Sequence, residues 1–156
     1  MGTRCGQIDP GVLLYMMQQK GMTAAEISDL LYKKSGLKGM SGVSSDMREL
    51  EDSKAPEAAE AIHYFVYHIV KFIGAYTAVL GGLDALVFTA GIGEHSPLVR
   101  GKVCDKLGWL GVAIDAQANA ANGPCISAAD SQVAVLAIPT NEELMIARHT
   151  LALAAS

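Results

Sequence analysis

The chain has 156 residues, 51% of them apolar and 18% charged, and its 12 Lys and Arg against 16 Asp and Glu give a net charge of −4. One domain is expected on a scale of roughly 100–200 residues each, and this much apolar surface excludes intrinsic disorder because it offsets the chain entropy lost on folding. The mild acidity argues against a nucleic-acid partner, which asks for a basic face to neutralise phosphates.

From the N-terminus, Asp9 and Pro10 form an N-cap and first-turn pair, and Val12, Leu13, Met16 and Met17 share one helical face as far as Lys20 and Gly21. Thr23 and Glu26 make a capping box for a second helix, whose Ile27, Leu30 and Leu31 repeat at helical spacing up to Ser35 and Gly36. LKGMSGVSS, from Leu37 to Ser45, reads as a Gly/Ser-rich loop, and DMRELEDS after it as a short helix. From about Pro56 to Leu80, Ile62, Phe65, Val66, Ile69, Phe72, Ile73, Tyr76, Val79 and Leu80 trace one stripe, the pattern of a long core helix. Gly81 and Gly82 end it, and ALVFTA follows as a strand apolar enough to be buried on both faces.

The segment GIGEH then reads as a loop, and Ser96 and Pro97 start a helix bearing Leu98, Val99, Val103 and Leu107. GVAID is expected as a short strand, QANAANG as helix or loop, and QVAVLAIP as a second buried strand. Thr140 and Glu143 suggest a capping box at the head of a last helix, NEELMIARHTLAL. Two strand-loop-helix units imply a parallel sheet with ligands beyond the carboxyl ends of its strands, so TAGIGEH and PTNEE should share that edge.

Cys5, Cys104 and Cys125 are odd in number, without a CxxC pair, which argues against a disulfide framework or zinc site and fits a reducing cytoplasm. The apolar stretch from Phe72 to Gly93 is broken by five glycines and reads as helix, turn and strand instead of a membrane span. MGTRCGQIDPG has neither the apolar core of a signal peptide nor a Ser or Thr at Gly6 to complete a myristoylation pattern. A cytoplasmic location without membrane contact is therefore expected.

Several residues admit both chemical and structural readings. Gly91, Ile92, Gly93 and Glu94 follow a strand and precede a capped helix, where glycines let backbone approach a phosphate or flat ligand, or simply make a tight turn. His95 ends that segment. Glu143 is accounted for by the capping box, whereas Glu142 is a Mg²⁺-type carboxylate or a favourable acid in a first helical turn. Asp46 and Arg48 could bind a nucleotide's polar edge and phosphates, or form a solvated first turn capped by Ser44 or Ser45. Arg4 is either part of a frayed terminus or a phosphate contact. His63 and His68 are five apart on the long helix and read as structural, and His149 as exposed on the last one.

Taken in order, MGTRCGQIDPG, KKSGLKGMSGVSSDMREL, FIGAYTAVLGGLDALVFTAGIGEHSPLVR and VLAIPTNEELMIARHT closely resemble the C-terminal part of the acetokinase family, the acetate kinases, within the superfamily of sugar kinases, heat-shock ATPases and actin. The resemblance runs from Met1 to about Thr150. It implies an α/β fold, an incomplete ribonuclease H-like (actin-like ATPase) domain, with parallel strands near 84–90 and 132–138 packed by helices that include the long one near 56–80. Residues 1–156 would then be a C-terminal nucleotide-binding lobe.

The resemblance further implies reversible phosphoryl transfer from ATP to acetate, giving ADP and acetyl phosphate. Arg4 matches an arginine that stabilises the transition state, and Asp46, Met47 and Arg48 match a nucleotide-binding segment in which Phe is common where Met47 stands. Gly91, Ile92, Gly93, Glu94 and His95 match the loop that holds adenosine, with Asn usual in place of His95, and Glu142 matches a ligand of Mg²⁺ or Mn²⁺. Family members are much longer, and their N-terminal part carries the acetate pocket, a further arginine, positioning histidines and a catalytic aspartate. The implied partners are that missing lobe and a second copy in a homodimer, and the chain by itself is expected to be inactive and to leave apolar surface uncovered. Propionate or butyrate kinase, or a non-catalytic nucleotide-binding or dimerisation module, are the competing readings.

Overall fold

Side-chain caps start α-helices at Asp9, Thr23 and Ser96, as the sequence predicts. The structure is a computed structural model that describes residues 2–154; Met1, Ala155 and Ser156 lie outside the described residues. Two compact units divide the chain, Met1–Gly74 and Ala75–Ser156.

In the first unit, α1 (Pro10–Gln18) opens where the Asp9 carboxylate accepts from the Gly11 amide at 2.7 Å. The reciprocal box forms at α2 (Ala24–Lys33), with the Thr23 amide donating to Glu26 at 2.8 Å and the Glu26 amide to the Thr23 hydroxyl at 3.3 Å. The expected loop from Leu37 to Ser45 is instead largely a helix, α3 (Gly36–Ser41), ending at Gly42 in the left-handed region with φ 65°. Burial of Leu37, 4% exposed, holds this turn of helix against the weak propensity of its glycines. Then come α4 (Met47–Asp52) and α5 (Pro56–Leu80), the last six residues of which belong to the second unit. Ile27, Leu37, Met47, Leu50, Ala58, Ala61, Ile62 and Val66 are the buried apolar residues of the first unit.

Only the first part of the long apolar stripe on α5 is buried. Ile62 and Val66 are 5% and 2% exposed, whereas Tyr76, Val79 and Leu80 at the other end are 61%, 84% and 74% exposed. The face expected on α1 is likewise open at Val12 and Met17.

In the second unit, β1 (Ala85–Phe88) and β2 (Ala134–Ala137) pair in parallel, with Ala85 opposite Ala134 and Phe88 opposite Ala137. Burial on both faces is not what the structure has. Ala85, Val87 and Ala134 are exposed while Phe88, Val135 and Ala137 are buried, so packing covers one face of this short sheet. The expected loop GIGEH is a short helix, α6 (Ala90–His95), closed by the Ser96 amide bonding the Ile92 carbonyl at 3.0 Å. Ser96 caps α7 (Pro97–Cys104) through the Val99 amide at 3.0 Å.

A 3₁₀ turn (Gly108–Leu110) and α8 (Ala116–Ala120) follow, and α9 (Glu142–Ala154) ends the described chain. GVAID is not a strand: it makes one antiparallel bridge, Ile114 to Ser127, and Asp115 leaves at once to cap α8 through the Ala118 amide at 2.7 Å. Val99, Val103, Leu107, Val112, Ile126, Val133 and Val135 form the buried core, whereas α9 has no buried residue. Among the described residues no helix is long and apolar enough to cross a membrane.

The contrast between core and uncovered apolar residues is testable by denaturant unfolding. Leu107→Ala, at a fully buried site, is expected to cost about 2–5 kcal/mol. Leu151→Ala, at a residue 71% exposed, is expected to change stability by less than about 0.5 kcal/mol.

Candidate functional site

Within the first unit, the segment carrying Arg4 is not frayed. The Cys5 amide donates to the Leu31 carbonyl at 3.0 Å, Ser35 to Thr3 at 2.9 Å and Lys38 to Gly2 at 3.0 Å, which ties the segment across the junction of α2 and α3. The Arg4 guanidinium lies 5.3 Å from the centre of the Tyr32 ring, within cation–π range. Arg4 also borders a cavity of about 310 Å³ whose walls include Cys5, Lys34, Leu37, Tyr64 and Phe65. Lys34 is occupied by Asp29 at 2.5 Å. Among the described residues no carboxylate is in ion-pair range of Arg4, so its charge remains open to an anion.

Asp46 itself, not Ser44 or Ser45, caps α4. One carboxylate oxygen accepts from the Arg48 amide at 2.9 Å and its Nε at 3.1 Å, and the other from Nη2 at 2.6 Å. These bonds, the side-chain ones foremost, pull the Asp46 carboxyl down to about 2. The Ser44 hydroxyl instead accepts from the Asp46 amide at 3.0 Å. Arg48 stays 84% exposed beside its partner, while Met47 is buried in the core below them. The two surface groups of this triplet therefore form a pre-set ion pair on a helix start.

Within the second unit, the parallel register brings the segments after β1 and β2 together, as expected. The Thr89 hydroxyl donates to the Ile138 carbonyl at 2.9 Å, and one Glu94 carboxylate oxygen accepts from the Thr140 amide at 2.8 Å and hydroxyl at 2.9 Å. The Thr140 amide, then its hydroxyl, holds the Glu94 carboxyl below its usual range. Gly93 is needed for close packing, since a Cβ there would sit 3.3 Å from the Phe88 carbonyl carbon. His95 is 74% exposed, 3.9 Å from the other Glu94 oxygen.

Because Glu94 engages Thr140, the expected capping box of Thr140 and Glu143 does not form. Asn141 caps α9 instead, its side-chain oxygen accepting from the Leu144 amide at 3.0 Å. Glu142 and Glu143 are both exposed in the first turn. No group of three His, Cys, Asp or Glu gathers among the described residues. A single exposed carboxylate such as Glu142 suits Mg²⁺, which keeps several waters and takes its remaining ligands from substrate phosphates.

Two residues of this region escape sequence reasoning. Thr140 reads only as a cap and Arg100 has no evident role in the sequence, yet Arg100 is fully buried and bonds the carbonyls of Gly93 and Glu94. Burial lowers its pKa from the ordinary arginine value, but a guanidinium remains charged. Its neighbour Cys104 is chemically quiet, since burial pushes the thiol up to about 12.

The Asp46 ion pair makes a prediction in pH. Its carboxyl is depressed in the folded state, so its stabilising effect is complete above the unfolded value near 3.9 and fades as pH falls from there through about 2. Carboxyl-carbon NMR should show that low midpoint, and Arg48→Gln should return it toward about 3.9; an unchanged midpoint in the variant would show that the ion pair is not the cause.

A family model described as the acetokinase family matches residues 1–148. The chain is 59% identical over 153 residues to an acetate kinase of Methylocella silvestris, covering 98% of this chain and 38% of that protein. It is 57% identical over 156 residues to an acetate kinase of Rhodopseudomonas palustris, covering 99% and 39%. The chain thus spans well under half the length of these relatives. Among solved structures, the acetate kinase of Porphyromonas gingivalis superposes with a TM-score of 0.89 at 45% identity, over 97% of this chain and 40% of that one. A propionate kinase from Francisella tularensis superposes with a TM-score of 0.87 at 40% identity, over 94% and 38%. The small parallel sheet and its helices are accordingly part of an actin-like ATPase architecture, and the chain belongs to the acetokinase family.

Proposed function

We propose that this chain supplies the nucleotide and metal side of a phosphotransferase that moves a phosphoryl group between ATP and acetate. The observation that carries this reading is the clasp of Glu94 on Thr140, which joins the glycine segment to the head of α9 at the edge of the parallel sheet, where such folds bind ligands. Transfer of this kind needs little covalent help and depends on positioning and on positive charge at the transferring group. Arg4, exposed and unpaired by any carboxylate among the described residues, would place a bidentate cation against the phosphoryl oxygens. Gly91 through His95 would lie along the adenosine, and Asp46 with Arg48 would present a polar pair to the nucleotide while buried Met47 fixes their helix from below.

Glu142 would hold Mg²⁺ or Mn²⁺, which neutralises charge building on the phosphates. The acceptor's acid and the groups that recognise it lie in the part of the relatives that this chain does not span, so the chain alone is read as inactive. The Francisella tularensis propionate kinase among the structural relatives favours one second reading, a longer acid as acceptor. Free Cys5, Cys104 and Cys125 suit a cytoplasmic setting, and the exposed Leu144, Ile146, Leu151 and Leu153 of α9 suit assembly with a partner lobe and a second copy.

Hydroxylamine trapping of acyl phosphate, with ATP, Mg²⁺ and acetate or propionate, tests the reading. This chain alone should give no hydroxamate, and the chain mixed with the N-terminal remainder of the Methylocella silvestris acetate kinase should give it. Turnover by the chain alone, or none from the complemented pair, overturns the proposal. In that pair, Arg4→Ala should lower kcat roughly 10³-fold, the scale of a lost transition-state arginine.

Loss of a carboxylate ligand at Glu142→Gln should raise the Mg²⁺ concentration for half-maximal rate by about 10-fold. An unchanged Mg²⁺ response would remove Glu142 from the metal site.

A further inference from the structure

Arg100 is the one large charged side chain that the described structure buries completely, and nothing in the proposed chemistry uses it. Its acceptors explain where it is spent. Nη1 donates to the Gly93 and Glu94 carbonyls, both at 2.8 Å; Nε donates to the Asn119 side chain at 2.7 Å; Nη2 donates to the Asn119 carbonyl at 2.8 Å and to the Asn122 side chain at 2.5 Å. A guanidinium has five N–H groups in a fixed planar fork, and these bonds engage all of them.

None of the acceptors is a carboxylate. The charge is therefore not there to neutralise an acid, and its partners are two orphaned carbonyls at the end of α6 together with the α8 region. A helix end leaves its last carbonyls without partners, and a cation there also meets the negative end of the backbone dipoles. The receiving side is built to match. Asn119 is itself held by donating to the Pro97 carbonyl at 2.9 Å, and Asn122 adopts φ 51°, a left-handed conformation that Asn tolerates.

Glu94 thus sits between two fixed points. Arg100 takes its carbonyl and Thr140 takes its carboxylate, so the position of α6 passes directly into the spacing between the glycine segment and the head of α9. We propose that Arg100 is a positioning residue for nucleotide binding, fixing α6 through the Gly93 and Glu94 carbonyls so that the glycine segment and the head of α9 stand at the separation a nucleotide requires. This inference rests on the nucleotide reading of Gly91 through His95.

The test uses Arg100→Lys, which keeps the charge but has only three donors and no planar fork. Asn122→Gly serves as a milder variant that removes one acceptor and keeps a backbone suited to positive φ. Amide hydrogen exchange is read at residues 90–96 with α2 as internal control, and Mg·ADP affinity by calorimetry on the complemented protein. Arg100→Lys is expected to speed exchange in 90–96 by at least about 10-fold over α2, to weaken Mg·ADP by about 10-fold, and to raise the KM for ATP while kcat and the KM for acetate stay within about threefold.

Asn122→Gly is expected to act in the same direction by about threefold, which keeps the test decisive if the lysine variant does not fold. Unchanged exchange at 90–96, or faster exchange with unaltered Mg·ADP affinity, overturns the positioning role while the nucleotide reading stands. Absence of Mg·ADP binding to the unmutated complemented protein overturns both. A residue needed only for folding would lower the melting temperature and the active fraction without moving the KM for ATP per active molecule.

Discussion

Everything proposed for the second unit depends on the parallel pairing of β1 and β2. Four residues on each strand, in register from Ala85 with Ala134 to Phe88 with Ala137, send both chains out of the sheet at the same end. An antiparallel pairing would have put the two exits at opposite ends, and no local motif could then have joined them. With the exits side by side, Thr89 reaches the Ile138 carbonyl and Glu94 reaches Thr140, two contacts between residues 49 and 46 apart in sequence. A short ladder is a modest source of stability, so the contacts beyond its end matter as much as the ladder in setting where α6 and α9 begin.

The apolar surface has a related logic. The buried apolar residues of α5 stop at Val66, one face of the sheet is open at Ala85 and Val87, and α9 buries nothing. Parallel sheets in folded domains are covered on both faces, and a helix that shows apolar residues on all sides is made to be surrounded. Leu151 and Leu153, at 71% and 78% exposed, are at odds with a surface helix of a lone domain. They agree with the relatives being more than twice as long as the chain.

Much of the fold is legible from short-range signals because those signals are the physics. Asp9, Thr23 with Glu26, and Ser96 cap the helices they were expected to cap, and both strands fall within the predicted ranges. The misreadings share a cause. Residues 37–45 and GIGEH look like loops because glycine is a poor helix former, yet a buried Leu37 in one case and an arginine cap from elsewhere in the other outweigh that preference. Thr140 and Glu143 have the spacing of a capping box, and Asn141 next to them is an equally good cap, so the choice is made by Glu94 from 46 residues away. The proposed site residues rest on resemblance to a family; locally, Asp46, Arg48 and Glu142 look like ordinary first-turn charges, and the structure gives Asp46 that ordinary role as well. Arg100 had a usable signal, since it lies three positions before Val103 and so shares its buried helical face.

Arg48, Arg100 and Arg4 divide one property among three tasks. Arg48 is bound to Asp46 at the surface, where solvent screens the pair, so the pairing contributes more to direction than to stability. Arg100 has lost its water entirely, and removing an ion from water costs several kcal/mol, which only a full set of acceptors can offset. Hydrogen bonds to charged groups contribute about 1.5–3 kcal/mol each, so the acceptors around Arg100 are of the right scale to meet that cost, and losing one leaves a donor buried with no alternative. Arg4 is the opposite case, tied by its backbone, stacked near Tyr32 and left without a carboxylate among the described residues. A chain with net charge −4 does not attract phosphates by its overall field. It has to meet them with individually placed cations, and of these three arginines Arg4 is the one that the described residues leave without a carboxylate or a set of acceptors.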